Sequence, residues 1–393
     1  MTSPTSSGGV APGSSEALLQ PHQGRIDGQH YVPSTADEVS WGTLPNRDTA
    51  AMLTLMSGET VTIDSVSHEG LLEDQGRDPV GYLAEFGVPA KAVLDDARDI
   101  AASLIIHDFD DGPHIVTGPI AVDGVVPGDL LKVEVLTLAL RATYGFISNR
   151  HGLGALPGEF PEQTQRHADA APHCPHRYGS VCRFTTVEER HGEPHGILPY
   201  ADGLAAEFPL NPFVGLMGVA PDTSETINSV PPGNHGGNLD INVLGTRSTL
   251  YLPVQVPGAL FYAGDPHYAQ GNGEVALTAF EAPLRATFRL SVLSGAQAKT
   301  AVGLLCHPFA ETTTHWVPVG LDVDLNEAMR RAVRAAIDFL SGVVGMGRAE
   351  ALAYLSAAAN FEVSQVVDAV KGVHCLIRKA DFPGYSPPAD RLS

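Results

Sequence analysis

The stretch 210–281 limits what this chain can become more than any other. Its two dense parts are Pro231-Pro-Gly-Asn-His-Gly-Gly-Asn-Leu-Asp240 and Gly264-Asp-Pro-His-Tyr-Ala-Gln-Gly-Asn-Gly-Glu274. Each sets glycines beside side chains that bind metals or move protons. Glycine tolerates positive φ and close backbone approach, so such runs form tight loops able to wrap a small site. Asp265 and His267 stand two residues apart, which on an extended strand turns both side chains to one face. A carboxylate beside an imidazole on a strand is half of a metal site or of an acid/base pair. Asn272-Gly273 is a strong hairpin signal, and it predicts that Glu274 opens the next strand beside the same pocket.

Composition agrees with a chain of short strands. Gly (41) and Pro (30) are frequent, which suits turns and short strands better than helical bundles. The expected class is mainly β: a sandwich-like, distorted core with a smaller α/β part carrying C-terminal helices. The formal charge of −21 repels phosphate backbones and anionic lipid, so neither nucleic acid nor membrane is expected as a partner. Residues 1–28 are rich in Ser, Gly and Pro and lack the apolar core of a secretory signal. They are expected to be a disordered tail on a cytoplasmic protein. Cys174, Cys182, Cys306 and Cys375 have no framework spacing and are expected as free thiols. No nucleotide-binding glycine motif is present.

Taken in order, residues 41–67 predict a β-hairpin turning at Ser57-Gly58, followed by a polar strand end that places His68 and Glu69 near a pocket. Residues 78–103 carry two short helical repeats. Strands are expected at 115–122 and 130–138, then an insertion, 141–195, that shapes the substrate entrance. The 29–323 segment is expected as the catalytic core and 324–393 as a brace packed on it. In the brace, Asp324 caps a helix that buries Leu325, Met329, Val333, Ala336 and Leu340, with Glu327 completing a capping box. This segment is also the expected contact in a homo-oligomer, a dimer or larger.

Several motifs together resemble the acetamidase/formamidase family: Pro212-Phe-Val-Gly-Leu-Met-Gly-Val-Ala-Pro221, Asn234-His-Gly-Gly-Asn-Leu-Asp240 and the 264–274 run. So do His114-Ile-Val-Thr-Gly-Pro-Ile120, Pro127-Gly-Asp-Leu130, Trp41-Gly42 and Ser364-Gln-Val-Val367. One departure is Asn272, where the family usually carries Asp. The resemblance implies an amidohydrolase acting on linear amides, with a γ-lactamase as first alternative and a non-catalytic small-molecule-binding β protein as second. Amide hydrolysis needs a strong nucleophile, a partner for the oxyanion and an acid for the leaving amine. The chain has no Gly-x-Ser-x-Gly elbow, so a divalent metal, zinc first, is the expected cofactor. The ligand pool is His114, His235, Asp240, Asp265 and His267, with Glu274 as general base and acid. Gln270, Asn272, His68 and Glu69 are the candidates for substrate contact.

Overall fold

The computed structural model describes residues 18–108, 111–162, 179–303 and 305–385. Two large sheets face each other, so the fold is mainly β. The first has nine strands in the order His30–Val32, Thr60–Ser65, Leu284–Leu293, Leu130–Leu140, Thr249–Pro253, Phe309–Glu311, His315–Asp322, Lys371–Arg378 and Asn360–Gln365. The second runs Leu204–Pro209, Glu193–Ala201, Ser180–Arg190, Tyr144–Arg150, Phe280–Glu281, Phe261–Ala269, Phe213–Val219 and Gly236–Asn238. Ile115–Val122 joins it beside Phe261–Ala269 and brings in Val39–Trp41 and Leu53–Leu55. Alternate residues of both sheets meet in one core, among them Ile63, Val133, Leu252 and Phe288 from the first and Ile120, Val214, Met217 and Phe261 from the second. Burial of this kind is the main driving force for such a sandwich.

The predicted hairpin over 41–67 does not form. Leu53–Leu55 pairs in parallel with Ile115–Val122 in one sheet, while Thr60–Ser65 pairs with Leu284–Leu293 in the other. The turn between them therefore crosses from sheet to sheet. Leu55 and Val61, both fully buried, enter the same core from opposite sides. Short-range turn chemistry suggested a hairpin, and burial of both apolar faces overrode it.

The C-terminal helices lie at Leu325–Phe339 and Arg348–Ala358. Asp324 caps the first, accepting from the Glu327 amide, but the Glu327 carboxylate turns outward to Arg330 and Arg334 instead of closing a capping box. The buried face agrees with expectation at Ala336 and Leu340 and differs elsewhere. Ala328, Ala332, Ala336 and Phe339 face inward, whereas Leu325 and Met329 are more than a third exposed. Gly320 explains the choice. A Cβ there would come within 2.2 Å of the Ala328 carbonyl oxygen, so helix and strand approach as only small residues allow. Nor does the 324–393 segment stand apart as a layer, because Lys371–Arg378 and Asn360–Gln365 close the edge of the nine-stranded sheet.

Of the expected tail, residues 1–17 lie outside the described residues, as does Cys174 with the rest of 163–178. Residues 18–28 run against the core: the Leu19 amide donates to the Arg141 carbonyl and the Gln20 carbonyl accepts from Arg285. Cys182, Cys306 and Cys375 are free thiols. Among the described residues, no helix is long and apolar enough to cross a membrane.

Candidate active site

The second sheet builds the site. Phe261–Ala269 carries Asp265 and His267, and its cross-strand partner for His267 is Glu281 of Phe280–Glu281. Directly opposed residues on one face of an antiparallel pair are brought within contact range. The His267 Nε2 atom lies 2.9 Å from an oxygen of Glu281 and 2.9 Å from one of Asp265. On the other flank, Phe213–Val219 contributes Gly215, where a Cβ would fall 2.4 Å from Asp240 Oδ1 and 2.8 Å from Asp265 Oδ2. This glycine therefore keeps the floor of the site open. Its carbonyl accepts from the amides of Leu239 and Asp240, which fixes Asp240 over that floor.

Three of the carboxylates sit on strained backbone. Asp240, Asp265 and Glu274 have φ of 48°, 53° and 46°. Each non-glycine residue in this left-handed region costs about 1–3 kcal/mol and persists only where its surroundings hold it, as at functional sites. For Glu274 the surroundings are unexpected. Asn272-Gly273 makes no tight turn; the chain returns to pair with Phe261–Ala269 only at Phe280–Glu281. The Gly273 amide donates to the Ser364 carbonyl, and the Val366 amide donates back to the Gly273 carbonyl. The loop thus docks on the C-terminal strand Asn360–Gln365, and Glu274 is a buried loop residue rather than a strand start. Beyond it, regular pairing resumes only at Phe280–Glu281.

Electrostatics separate the members. Burial drives Glu274, Asp240 and Asp368 well above the usual carboxylate range, with neighbouring acids adding to the rise. Burial lifts Glu281 to about 8, against the pull of His267. Burial would lower His267, but Asp265 and Glu281 outweigh it and hold the imidazole well above its ordinary value. Burial would likewise raise Asp265, yet His267 and His114 keep it well below the usual range. Burial lowers His68 and His114, leaving neutral imidazoles, the form that ligates metals.

The donor set fits a divalent cation. Two groups of three buried residues offer ligand atoms within 4.8 Å of one another: His68, Asp265 and Glu281, and Asp240, His267 and Glu274. Both oxygens of Asp240 and one each of Glu274, Glu281 and Asp368 are buried without a hydrogen-bond donor. Unpartnered buried carboxylates are costly, and a cation among them removes that cost.

The remaining expected residues take other places. His114 stands beside the cluster, 3.9 Å from Asp265, edge-on to His68 and hydrogen-bonded to Ser229, and belongs to neither group of three. His235, expected as a ligand, lies in neither group. Its ring packs on Gly233 and Gly237, and burial alone lowers it to about 4. Glu69, expected at the substrate, is taken up by Ser148 at 2.5 Å and by Arg150, and anchors the wall instead. Gln270 orients His267. Its amide nitrogen donates to the carbonyls of Asp240 and Ser364, so its oxygen faces His267 Nδ1 at 3.0 Å and leaves Nε2 for the carboxylates. Asn272 is exposed and donates to Glu362 on the C-terminal strand.

A pocket of about 450 Å³ opens next to this cluster, with Glu274 and Gln270 among its lining residues. Ile147 of the expected insertion lines it, together with Phe208 and Pro209.

The acetamidase/formamidase family profile matches residues 94–228 and 223–378. The chain belongs to that family. Within it, the chain is 27% identical over 209 residues to a formamidase of Methylophilus methylotrophus, covering 46% of this chain and 49% of that one. It is 29% identical over 212 residues to an acetamidase of Mycolicibacterium smegmatis, covering 43% and 51%. The match therefore spans about half the length of these curated relatives. The fold is that of the acetamidase of Bacillus halodurans, with a TM-score of 0.65 over 90% of this chain and 98% of the other at 23% identity. Two residues of this family member's site, Glu281 and Asp368, were not expected from the sequence. Glu281 had one usable signal, a lone acid among Ala279, Phe280 and Ala282. Asp368 had none, since it enters on a turn of the expected brace, held by Gln365.

Proposed function

We propose that the chain hydrolyses the C–N bond of a small amide, giving a carboxylic acid and ammonia. One observation carries this reading: a buried cluster of unpartnered carboxylates around His267 meets a solvent-open pocket at Glu274. The relatives named formamidase and acetamidase support it.

In this reading His68, Asp265 and Glu281 hold a divalent metal, zinc first. The ion supplies Lewis acidity for the carbonyl and makes a water acidic near neutral pH. Glu274 faces the substrate and carries the proton, taking it from the attacking water and delivering it to the departing nitrogen. Gln270 fixes the ring orientation of His267, and His267 holds the negative ends of Asp265 and Glu281 in place. The acid cluster favours the nitrogen as it gains a proton and positive charge.

The test joins ammonia release from formamide and acetamide with metal analysis of the purified protein. Asp265→Ala is expected to lose both metal and ammonia release while keeping its circular dichroism spectrum. Retention of both would remove Asp265 from the ligand set. An amide that binds with no ammonia released would favour the non-catalytic alternative.

A further inference from the structure

If the chain hydrolyses amides as proposed, the pocket also restricts which amides it takes. Its lining is mixed: Glu274, Gln270, Thr278, Asn211 and Asn272 are polar, and Ile147, Phe208, Pro209, Ala269, Ala279 and Phe280 form an apolar wall. Phe208 and Phe280 meet edge to face with centroids 6.1 Å apart, a firm aromatic corner. The volume of about 450 Å³ lies within the roughly 300–1,000 Å³ range of pockets that enclose sizeable organic ligands. An acetamide bound at Glu274 would leave most of that wall in contact with water.

We infer that the preferred substrates are primary amides whose acyl part is an apolar chain or aromatic ring, seated against Phe208, Phe280 and Ile147. Charge sets the orientation. The nitrogen leaves as ammonia and gains positive character, so it faces the buried carboxylates. The acyl group is then the part left to the apolar wall. The walls come from four separate strands of the second sheet, Tyr144–Arg150, Leu204–Pro209, Phe261–Ala269 and Phe280–Glu281. The strands extending the sheet beyond Tyr144–Arg150 thereby acquire a role in selectivity.

The experiment measures release of the carboxylic acid by the full chain, as purified with its metal, from acetamide, butyramide, hexanamide and phenylacetamide, with N-butylacetamide, which would give acetate and butylamine, as control. kcat/KM is expected to rise by about fourfold for each methylene that reaches the wall, the factor set by burying one CH₂. Phe208→Ala and, separately, Ile147→Ala are expected to lower the phenylacetamide-to-acetamide ratio by about tenfold. A series that is flat or falls beyond acetamide overturns this inference and leaves the proposed reaction standing. Preference for N-butylacetamide over hexanamide overturns it as well. Hydrolysis of none of the amides overturns the proposed reaction and this inference with it.

Discussion

Two clusters of buried charge lie in this molecule, and they are built on opposite terms. In one, Arg141 sits fully buried between Asp96 at 2.8 Å and Asp64 at 3.5 Å. Asp64 also receives Arg285 at 2.6 Å and the Tyr31 hydroxyl at 2.7 Å, and Ser34 donates to Asp96. Each charge there has a partner of opposite sign. In the other, Asp240, Asp265, Glu274, Glu281 and Asp368 gather around His267, with oxygens left over. Burial is alike in the two, but compensation is not. A balanced buried network holds segments together, here residues 18–28, the helix Asp95–Ala102 and the first sheet. An unbalanced one stores free energy that a bound cation or a proton can release, as functional sites do.

The comparison breaks first if turnover does not depend on the unbalanced cluster. Glu274→Gln keeps size and hydrogen bonding and removes the proton carrier. Its kcat on the best amide is expected to fall by about 10²–10⁴-fold, with metal content and urea midpoint close to wild type. Near-normal turnover would move the proton carrier elsewhere. Arg141→Met probes the balanced cluster. It leaves Asp96 and Asp64 buried with less compensation, so stability is expected to drop by about 3–5 kcal/mol in urea titration. Turnover per folded molecule is expected to stay unchanged, and a selective loss of activity would erase the distinction between the clusters.

How much of the two clusters was legible in the sequence depends on distance along the chain. The i, i+2 spacing of Asp265 and His267 is local, and the strand delivers both to one place. The helices were legible from their period and from Asp324. The partners that complete the site are not local. Glu281 faces His267 only because of strand register, and Asp368 arrives from a turn almost a hundred residues further on. Neither lies in a glycine-framed run, so no motif pointed to either. The two turn expectations failed differently: the strands around Ser57-Gly58 pair in separate sheets, whereas Phe261–Ala269 and Phe280–Glu281 do pair with each other, across a longer loop than Asn272-Gly273 suggested. Of the alanine face of Leu325–Phe339 only Ala336 was expected, because Gly320, its mate in packing, carries no hydrophobic signal.

A smaller effect sharpens the comparison through pH. The folded Glu281 carboxyl titrates at about 8 against 4.5 for an unperturbed glutamate, so the folded chain binds its proton more tightly than the unfolded chain. A raised carboxylate costs nothing below the unfolded value and destabilises increasingly as pH climbs toward the folded one. In protein stripped of metal by a chelator, Glu281→Gln removes that penalty. The variant's stability advantage over wild type is therefore expected to widen from pH 5 to pH 8 and level off above. A constant gap across that range would place Glu281 among the compensated charges.

The smallest effect concerns Asn272, the one position where the chain departs from its family's usual Asp. Its amide donates to Glu362, whose carboxylate also lies 3.8 Å from His374. An Asp in its place would set two carboxylates against each other at a partly exposed edge. The cost there is only about 0.2–1 kcal/mol, since water screens the pair and the Gly273 backbone still docks on Asn360–Gln365. Asn272→Asp is thus expected to lower the melting temperature by no more than a few degrees and raise KM a few-fold through a looser 270–274 loop. Adding Glu362→Gln should restore both, because the repulsion needs the two charges. A Glu362→Gln background that leaves the Asn272→Asp defect in place would show that the loop is not held by this pair. A tenfold gain in kcat from Asn272→Asp would go further, since it would mean that position 272 acts as a site carboxylate and belongs with the unbalanced cluster.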